Sequence, residues 1–272
     1  MCLISRERIP RIATLRSTSA ASDVYKMQLD RLKNNGKVLV DELVNEFSVT
    51  PQTIRTDLNE LSKASKLIRV HGGARLIDGR VNVEYQARRQ IASSQKVLIG
   101  KAGSRIIPDN ASLFINIGTT TEAFSDALID HKGLMVITNN INVASRLRLF
   151  KENEVIITGG VVRPSDGGIV GEAAVDFIEN FKVDFAIIGS SAIDSDGSLL
   201  DFDFREVKVA QAIIKNARHV VLLADSTKFS RSAPVRIGHI SQVDTFITDV
   251  IADDDFREVC IKSEVELIEV QV

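Results

Sequence analysis

Cysteine is nearly absent. Cys2 and Cys260 are the only two in 272 residues, one near each end, so the chain carries no disulfide framework and no cysteine metal spacing. The four histidines, at 71, 131, 219 and 239, have no metal-ligand spacing either. Neither a metal nor a cofactor is expected. No apolar run is long enough to span a bilayer, and the early arginines are scattered rather than followed by an apolar core. A membrane span and a secretory signal are therefore not expected, and the compartment reads as a reduced cytoplasm. Neither GxGxxG nor GxxxxGKS/T occurs, which argues against dinucleotide and ATP binding. There is also no internal repeat and no low-complexity segment.

The net charge of -2 conceals an asymmetry. Residues 1 to 80 hold 14 Lys plus Arg against 9 Asp plus Glu, or +5, and the remainder holds 20 against 27, or -7. A chain of this length supports two domains, and the signs suggest a reader of phosphate backbones joined to an acidic domain of another kind.

Within the basic part, Val49 to Leu61 reads VTPQTIRTDLNEL. Thr50 suits an N-cap and Pro51 a first turn, while Ile54, Leu58 and Leu61 fall on one helical face. Gln52, Thr56, Asn59 and Lys63 fall on the opposite face. A short helix over Val40 to Phe47 precedes it across Ser48 and Val49, the spacing of a helix-turn-helix whose second helix enters the major groove. Gln52, Thr53, Arg55, Thr56 and Asn59 are then candidates to face base edges. Two β-prone runs in LIRVHGGARLI, residues 67 to 77, predict a hairpin around Gly72 and Gly73. Such a wing carries Arg69, His71 and Arg75 toward phosphates, beside Lys63. The resulting boundaries are an extension over 1–22, a winged helix-turn-helix over 23–77 with its first helix at Asp23 to Asn35, a linker over 78–90 and a second domain over 91–272.

The second domain begins with a helical stretch, Ile91 to Ile106, and then alternates. Strands are predicted at 113–117, 134–138, 155–158, 183–188, 219–224, 245–248 and 265–270, with helices between them at 121–129, 141–150, 172–181, 204–216 and 253–261. This rhythm means an α/β domain with a mainly parallel sheet. Ligands bind beyond the carboxyl ends of such strands. Those ends run into Gly118, Thr119, Thr120 and Thr121; into Asn139 and Asn140; into Gly159 and Gly160 with Arg163 close behind; into Gly189, Ser190 and Ser191; and into Asp225 to Lys228. One such loop is ordinary turn chemistry. Five together, with Arg163 and Lys228 as counter-charges, suit an anion and best of all a phosphate. Asp194, Asp196, Asp201, Asp203, Asp225 and Lys228 are the groups an enzyme would use, but no nucleophile, base and orienter can be singled out among them, so catalysis is not expected.

These residues resemble a known family. The run Val49 to Leu61 followed by HGGA at His71 to Ala74 is similar to the signature of DeoR-family transcriptional regulators. So are SLFINIGTT at Ser112 to Thr120, TNNINVA at Thr138 to Ala144, DGGIVGEA at Asp166 to Ala173, DSDGSLLDFD at Asp194 to Asp203 and ADSTKF at Ala224 to Phe229. The resemblance implies a winged helix-turn-helix joined to a Rossmann-like sensor of the ribose-5-phosphate isomerase type. It implies a homo-oligomer, a tetramer, bound to an inverted-repeat operator in double-stranded DNA. It further implies a phosphorylated effector that weakens operator binding, and repression of glycerol genes with glycerol 3-phosphate as the effector. Another sugar phosphate, or an isomerase carrying an accessory domain, are the alternatives. Three departures stand out: Arg55-Thr56 where the family usually has Arg-Arg, Asn116 where an acidic residue is usual, and residues 1–18 as an extension.

Overall fold

A computed structural model describes residues 31, 37–47, 49–63, 67–70, 72–76, 85–251 and 253–271. The chain divides into two compact units, with the main boundary after Leu76.

Before residue 77 the chain forms β1 (Lys37–Leu39), α1 (Val40–Phe47), α2 (Pro51–Lys63), β2 (Leu67–Val70) and β3 (Gly73–Leu76), of which Leu61–Ile68 groups with the second unit. The Thr53 N-H donates to Thr50 Oγ1 at 3.2 Å, the side-chain cap that starts α2. Ile54, Leu58 and Leu61 are each fully buried, as are Leu67 and Ala74, so the 3.6-residue period of α2 does face a core. Burying a side chain of that size stabilises by about 1.5–3 kcal/mol. β1 is an element the sequence pattern did not reveal. It pairs antiparallel with the wing strand β3, Val38 opposite Ala74, and makes a three-stranded sheet of order β1-β3-β2. Gly73 permits this closure, since a Cβ there would lie 2.0 Å from the Val38 carbonyl oxygen. The first helix expected over 23–35 lies outside the described residues apart from Arg31.

The second unit opens with α3 (Tyr85–Gln90) and α4 (Ser93–Ser104). The linker expected over 78–90 therefore gives way by residue 85 to a helix. The chain then runs through β4 (Ser112–Ile115), α5 (Thr119–Asp126), β5 (Met135–Thr138), α6 (Ile141–Leu147), β6 (Glu154–Ile157), β7 (Val161–Val162), β8 (Ile169–Val170) and α7 (Glu172–Ile178). It continues through β9 (Val183–Ile188), β10 (Ala192–Ile193), β11 (Ser198–Asp201), α8 (Phe204–Lys215), β12 (Ala217–Leu223), β13 (Val235–His239), β14 (Thr245–Thr248), α9 (Asp254–Lys262) and β15 (Glu266–Glu269). The seven anticipated strands form one sheet of order β15-β14-β12-β9-β4-β5-β6, parallel throughout. Alternate residues feed two cores. Phe114, Ala186, Val220 and Phe246 belong to one face, and Leu113, Ile187, Val221 and Ile247 to the other. The pattern missed the antiparallel elements, a β7/β8 hairpin and a three-stranded sheet of order β10-β11-β13: β7, β8 and β10 are two residues each, and β11 and β13, of four and five, lie outside the strand-helix rhythm. No described helix is long and apolar enough to cross a membrane.

Candidate functional site

On α2, Gln52, Thr53, Arg55, Thr56 and Asn59 are exposed, as is Thr50 at its cap. All three hydroxyls already have local work. Thr50 and Thr53 share a 2.8 Å hydrogen bond, and Thr56 Oγ1 donates to the Gln52 carbonyl at 2.9 Å, one turn back in the same helix. Gln52, Arg55 and Asn59 are left as the longer polar groups of that face. Arg69 lies on β2. Its guanidinium is held below the ordinary arginine range first by burial and next by the charge of Arg55, and its buried Nη1 makes no hydrogen bond. Two like charges brought together in this way favour a shared anion, the chemistry of a DNA phosphate. The side chain of Lys63 and all of His71 lie outside the described residues.

In the second unit the sheet order locates the cleft. From β4 the chain winds outward through β5 and β6, then returns to β9 on the other side of β4 and winds outward again through β12, β14 and β15. The loops leaving β4 and β9 diverge at this switch point, where open parallel sheets bind ligands. The cleft there is lined by Ile117 to Thr121 after β4, by Gly189 to Ser191 after β9, by Leu223 and Lys228 on and after β12, by Asp201 and Glu206, and by Arg88 from α3. Thr119 begins α5, so the first free N-H groups of that helix border the cleft.

Lys228 sits on a 3-10 turn, Ser226–Ser230, that is fixed from several sides. Phe229 packs edge-on against Phe256 and Phe246, at ring-centroid distances of 4.9 and 6.4 Å. Ser226 donates to both oxygens of Asp249, from its N-H at 2.6 Å and its hydroxyl at 2.9 Å, and Asp225 caps the turn by accepting from the Thr227 N-H at 3.2 Å. Burial pushes the Lys228 amine down to about 7, with Asp225 opposing and Arg231, Lys96 and Arg88 adding to the fall. The Glu206 carboxyl is pushed up to about 8, first by burial and then by Asp201, while Arg163 pulls the other way. Around the cleft, Ser190 Oγ, Arg88 Nε and two guanidinium nitrogens of Arg231 are buried without hydrogen-bond partners. Unused donors, a crowd of cations and a helix N-terminus together suit an oxyanion.

The structure thus brings Gly118, Thr119, Thr120, Thr121, Gly189, Ser190 and Lys228 together, and does not bring Asn139, Asn140, Gly159, Gly160, Arg163 or Asp225 to the cleft wall. Asn139 and Asn140 follow β5, and Gly159 and Gly160 follow β6, one and two strands beyond β4 on the side away from β9. At about 4.8 Å per strand that is too far to line a cleft between β4 and β9. Asn140 caps α6, and Asn139 Nδ2 donates to the Ile169 carbonyl at 3.2 Å while its Oδ1 is buried without a hydrogen-bond partner. Arg163 is saturated by carboxylates, at 2.8 and 2.7 Å from the two oxygens of Asp166, 3.2 Å from Asp203 and 2.5 Å from Glu206. Asp225 lies fully buried beneath the cleft, 3.9 Å from Lys96 Nζ. The departure at Asn116 is inward: its Oδ1 accepts from the Ile117 N-H at 2.7 Å. Ser191 and Asp201, which the sequence placed at the ligand edge, also line the cleft, whereas Arg88 and Glu206 were missed as lining groups. For Arg88 the available signal was the basic pair Arg88-Arg89 inside a stretch with helical propensity.

Residues 91–250 match the DeoR C terminal sensor domain, and residues 27–80 match the DeoR-like helix-turn-helix domain. The chain belongs to the DeoR family. It is 48% identical over 221 residues to the glycerol-3-phosphate regulon repressor of Escherichia coli (strain K12), covering 81% of this chain and 88% of that protein. The repressor of the same name from Haemophilus influenzae is 46% identical over 217 residues, covering 80% and 85%. Among solved structures, ribose 5 phosphate isomerase A from Neisseria gonorrhoeae is similar with a TM-score of 0.37 and 13% identity, over 50% of this chain and 53% of that one. As a DeoR-family chain with its helix-turn-helix in place, the protein is a DNA-binding transcriptional repressor.

Proposed function

We propose that the protein represses genes of glycerol and glycerol 3-phosphate catabolism, and that glycerol 3-phosphate in the cleft between β4 and β9 releases it from DNA. The observation that carries the effector half is Lys228 facing the N-terminus of α5 among unpartnered buried donors, an arrangement that selects a phosphate by charge and by hydrogen bonding together. The names of the similar repressors support glycerol 3-phosphate among the phosphorylated ligands. On the DNA side, Gln52, Arg55 and Asn59 read base edges, helped by Thr50, Thr53 and Thr56, while Lys63, Arg69 and His71 hold phosphates. A homo-oligomer in the cytoplasm, a tetramer, sets paired α2 helices on inverted half-sites about 34 Å apart.

The test is fluorescence anisotropy of a labelled inverted-repeat duplex from a glycerol-gene promoter, titrated at fixed salt with and without glycerol 3-phosphate. Tight binding released by the ligand, with a scrambled duplex bound far more weakly, is the expected result. Specific binding released instead by ribose 5-phosphate or another sugar phosphate would reassign the effector. Turnover of ribose 5-phosphate without specific DNA binding would overturn the reading.

A further inference from the structure

α3 is the first described element after residue 76, and so the part of the second unit through which the chain arrives from the DNA-reading unit. Two of its side chains, Tyr85 and Arg88, bond to the second unit, while Gln86, Arg89 and Gln90 are exposed. Tyr85 donates to the two oxygens of Glu122 at 3.0 and 2.8 Å and accepts from Asn142 Nδ2 at 3.0 Å. The buried Lys96 donates to the carbonyls of Arg88, at 2.6 Å, and Ile91. Arg88 itself reaches the cleft wall, in company with Lys228 and the Gly118 to Thr121 loop.

The way Arg88 is held is informative. Its Nη2 lies 3.0 Å from Asp166 Oδ2, while its Nε is buried without a partner. Asp166 does not depend on that contact, because Arg163 already grips both of its oxygens. Arg88 is therefore a planar fork of donors attached by one edge to a shared carboxylate, beside a cationic amine and a helix N-terminus. A phosphoryl group offers two or three oxygens in the geometry a guanidinium matches. An anion at the α5 N-terminus would compete with Asp166 for the fork.

We propose that Arg88 is an anion-binding residue of the cleft, and that through it occupancy by a phosphorylated ligand is transmitted to α3 and thence to the segment joining the two units. The inference rests on the cleft being the effector site.

The test uses the full-length protein. Glycerol 3-phosphate binding is measured by calorimetry and operator release by anisotropy, for wild type and Arg88→Gln. The expected result for Arg88→Gln is affinity weakened about tenfold or more, a loss typical of one charge-assisted contact, together with incomplete operator release at ligand saturation. An unchanged affinity overturns the contact. Weakened affinity with full release at saturation overturns the transmission. If Arg88→Gln fails to fold, Arg88→Lys keeps the charge and loses the fork, and is expected to weaken binding several-fold; unchanged affinity there again overturns the contact. Hydrogen exchange of the α3 amides in wild type, with and without ligand, is expected to change on binding, and an unchanged pattern overturns the transmission. Failure of wild type to bind glycerol 3-phosphate, ribose 5-phosphate or inorganic phosphate is a different outcome: it removes the effector site itself, and this inference with it.

Discussion

Lys228 must be buried and yet carry charge when it meets an anion. Burial leaves its amine at about 7, so near neutral pH the free protein holds a mixture of charged and neutral forms. A bound phosphate favours the charged form and raises the value. Binding therefore takes up a proton at any pH between the free and the bound value, and affinity falls as pH rises above 7, by at most tenfold per unit. Calorimetry at pH 8 in two buffers of different ionisation enthalpy is expected to register uptake approaching one proton per site. Lys228→Met is expected to abolish the uptake and to weaken phosphate binding by about ten- to a hundredfold; uptake that persisted would assign the proton elsewhere. On the DNA side the instructive residue is Thr56. It is exposed, and its hydroxyl is turned back to Gln52, so it contributes no charge and no free donor to the groove. Thr56→Arg is expected to steepen the dependence of log affinity on log salt by about one, as one added phosphate contact requires. An unchanged slope would show that position 56 does not approach the backbone.

Helices α4 and α5 set the position of the Gly118 to Thr121 loop in the cleft, and Gly100 sets how closely they approach. A Cβ at Gly100 would come 2.7 Å from the Ala123 carbonyl carbon and the Phe124 nitrogen, backbone atoms that cannot turn aside. Gly100→Ala is therefore expected to separate the helices, to cost about 1–3 kcal/mol, and to weaken phosphate binding by displacing Thr119 and Thr120. Urea unfolding and calorimetry check both effects; a neutral stability change would mean that the helices part freely. Gly100 lay in a stretch that reads from sequence simply as helix. The seven parallel strands were legible because strands covered on both faces are continuous apolar runs such as Val183–Ile188 and Thr245–Thr248. Their spatial order was not. Gly-Thr-Thr after β4, Asn-Asn after β5 and Gly-Gly after β6 have equivalent turn chemistry, and only the position of β9 beside β4 decides which of them faces the cleft. Arg163 reads as a counter-charge until the fold brings Asp203 and Glu206, some forty residues on, to join the nearby Asp166 around it. Arg88 escaped notice because polar residues after a wing read as a linker until a fold gives them something to touch.

At the scale of the whole molecule, a repressor of this construction is a thermodynamic cycle with two ligands. If glycerol 3-phosphate lowers operator affinity by some factor, operator must lower glycerol 3-phosphate affinity by the same factor, whatever path joins the sites. The opposite charge balances of the two parts make this measurable, because salt weakens the phosphate-backbone term of operator binding by counterion release and leaves a compact, largely buried cleft far less affected. Calorimetric titration of glycerol 3-phosphate into free protein and into the operator complex, at a salt concentration where the complex stays saturated, is expected to give a ratio of dissociation constants equal to the ratio for operator with and without ligand. Couplings of this kind commonly lie between about 5- and 150-fold. Thermal unfolding supplies an independent check, since a ligand at a hundred times its dissociation constant stabilises the form that binds it by about 2.7 kcal/mol. Each ligand alone is expected to raise the unfolding temperature, and the two together to raise it by less than the sum of their separate effects. Additive shifts would mean that the cleft and α2 do not communicate, and operator release would then have to come from competition by the ligand at the DNA surface itself.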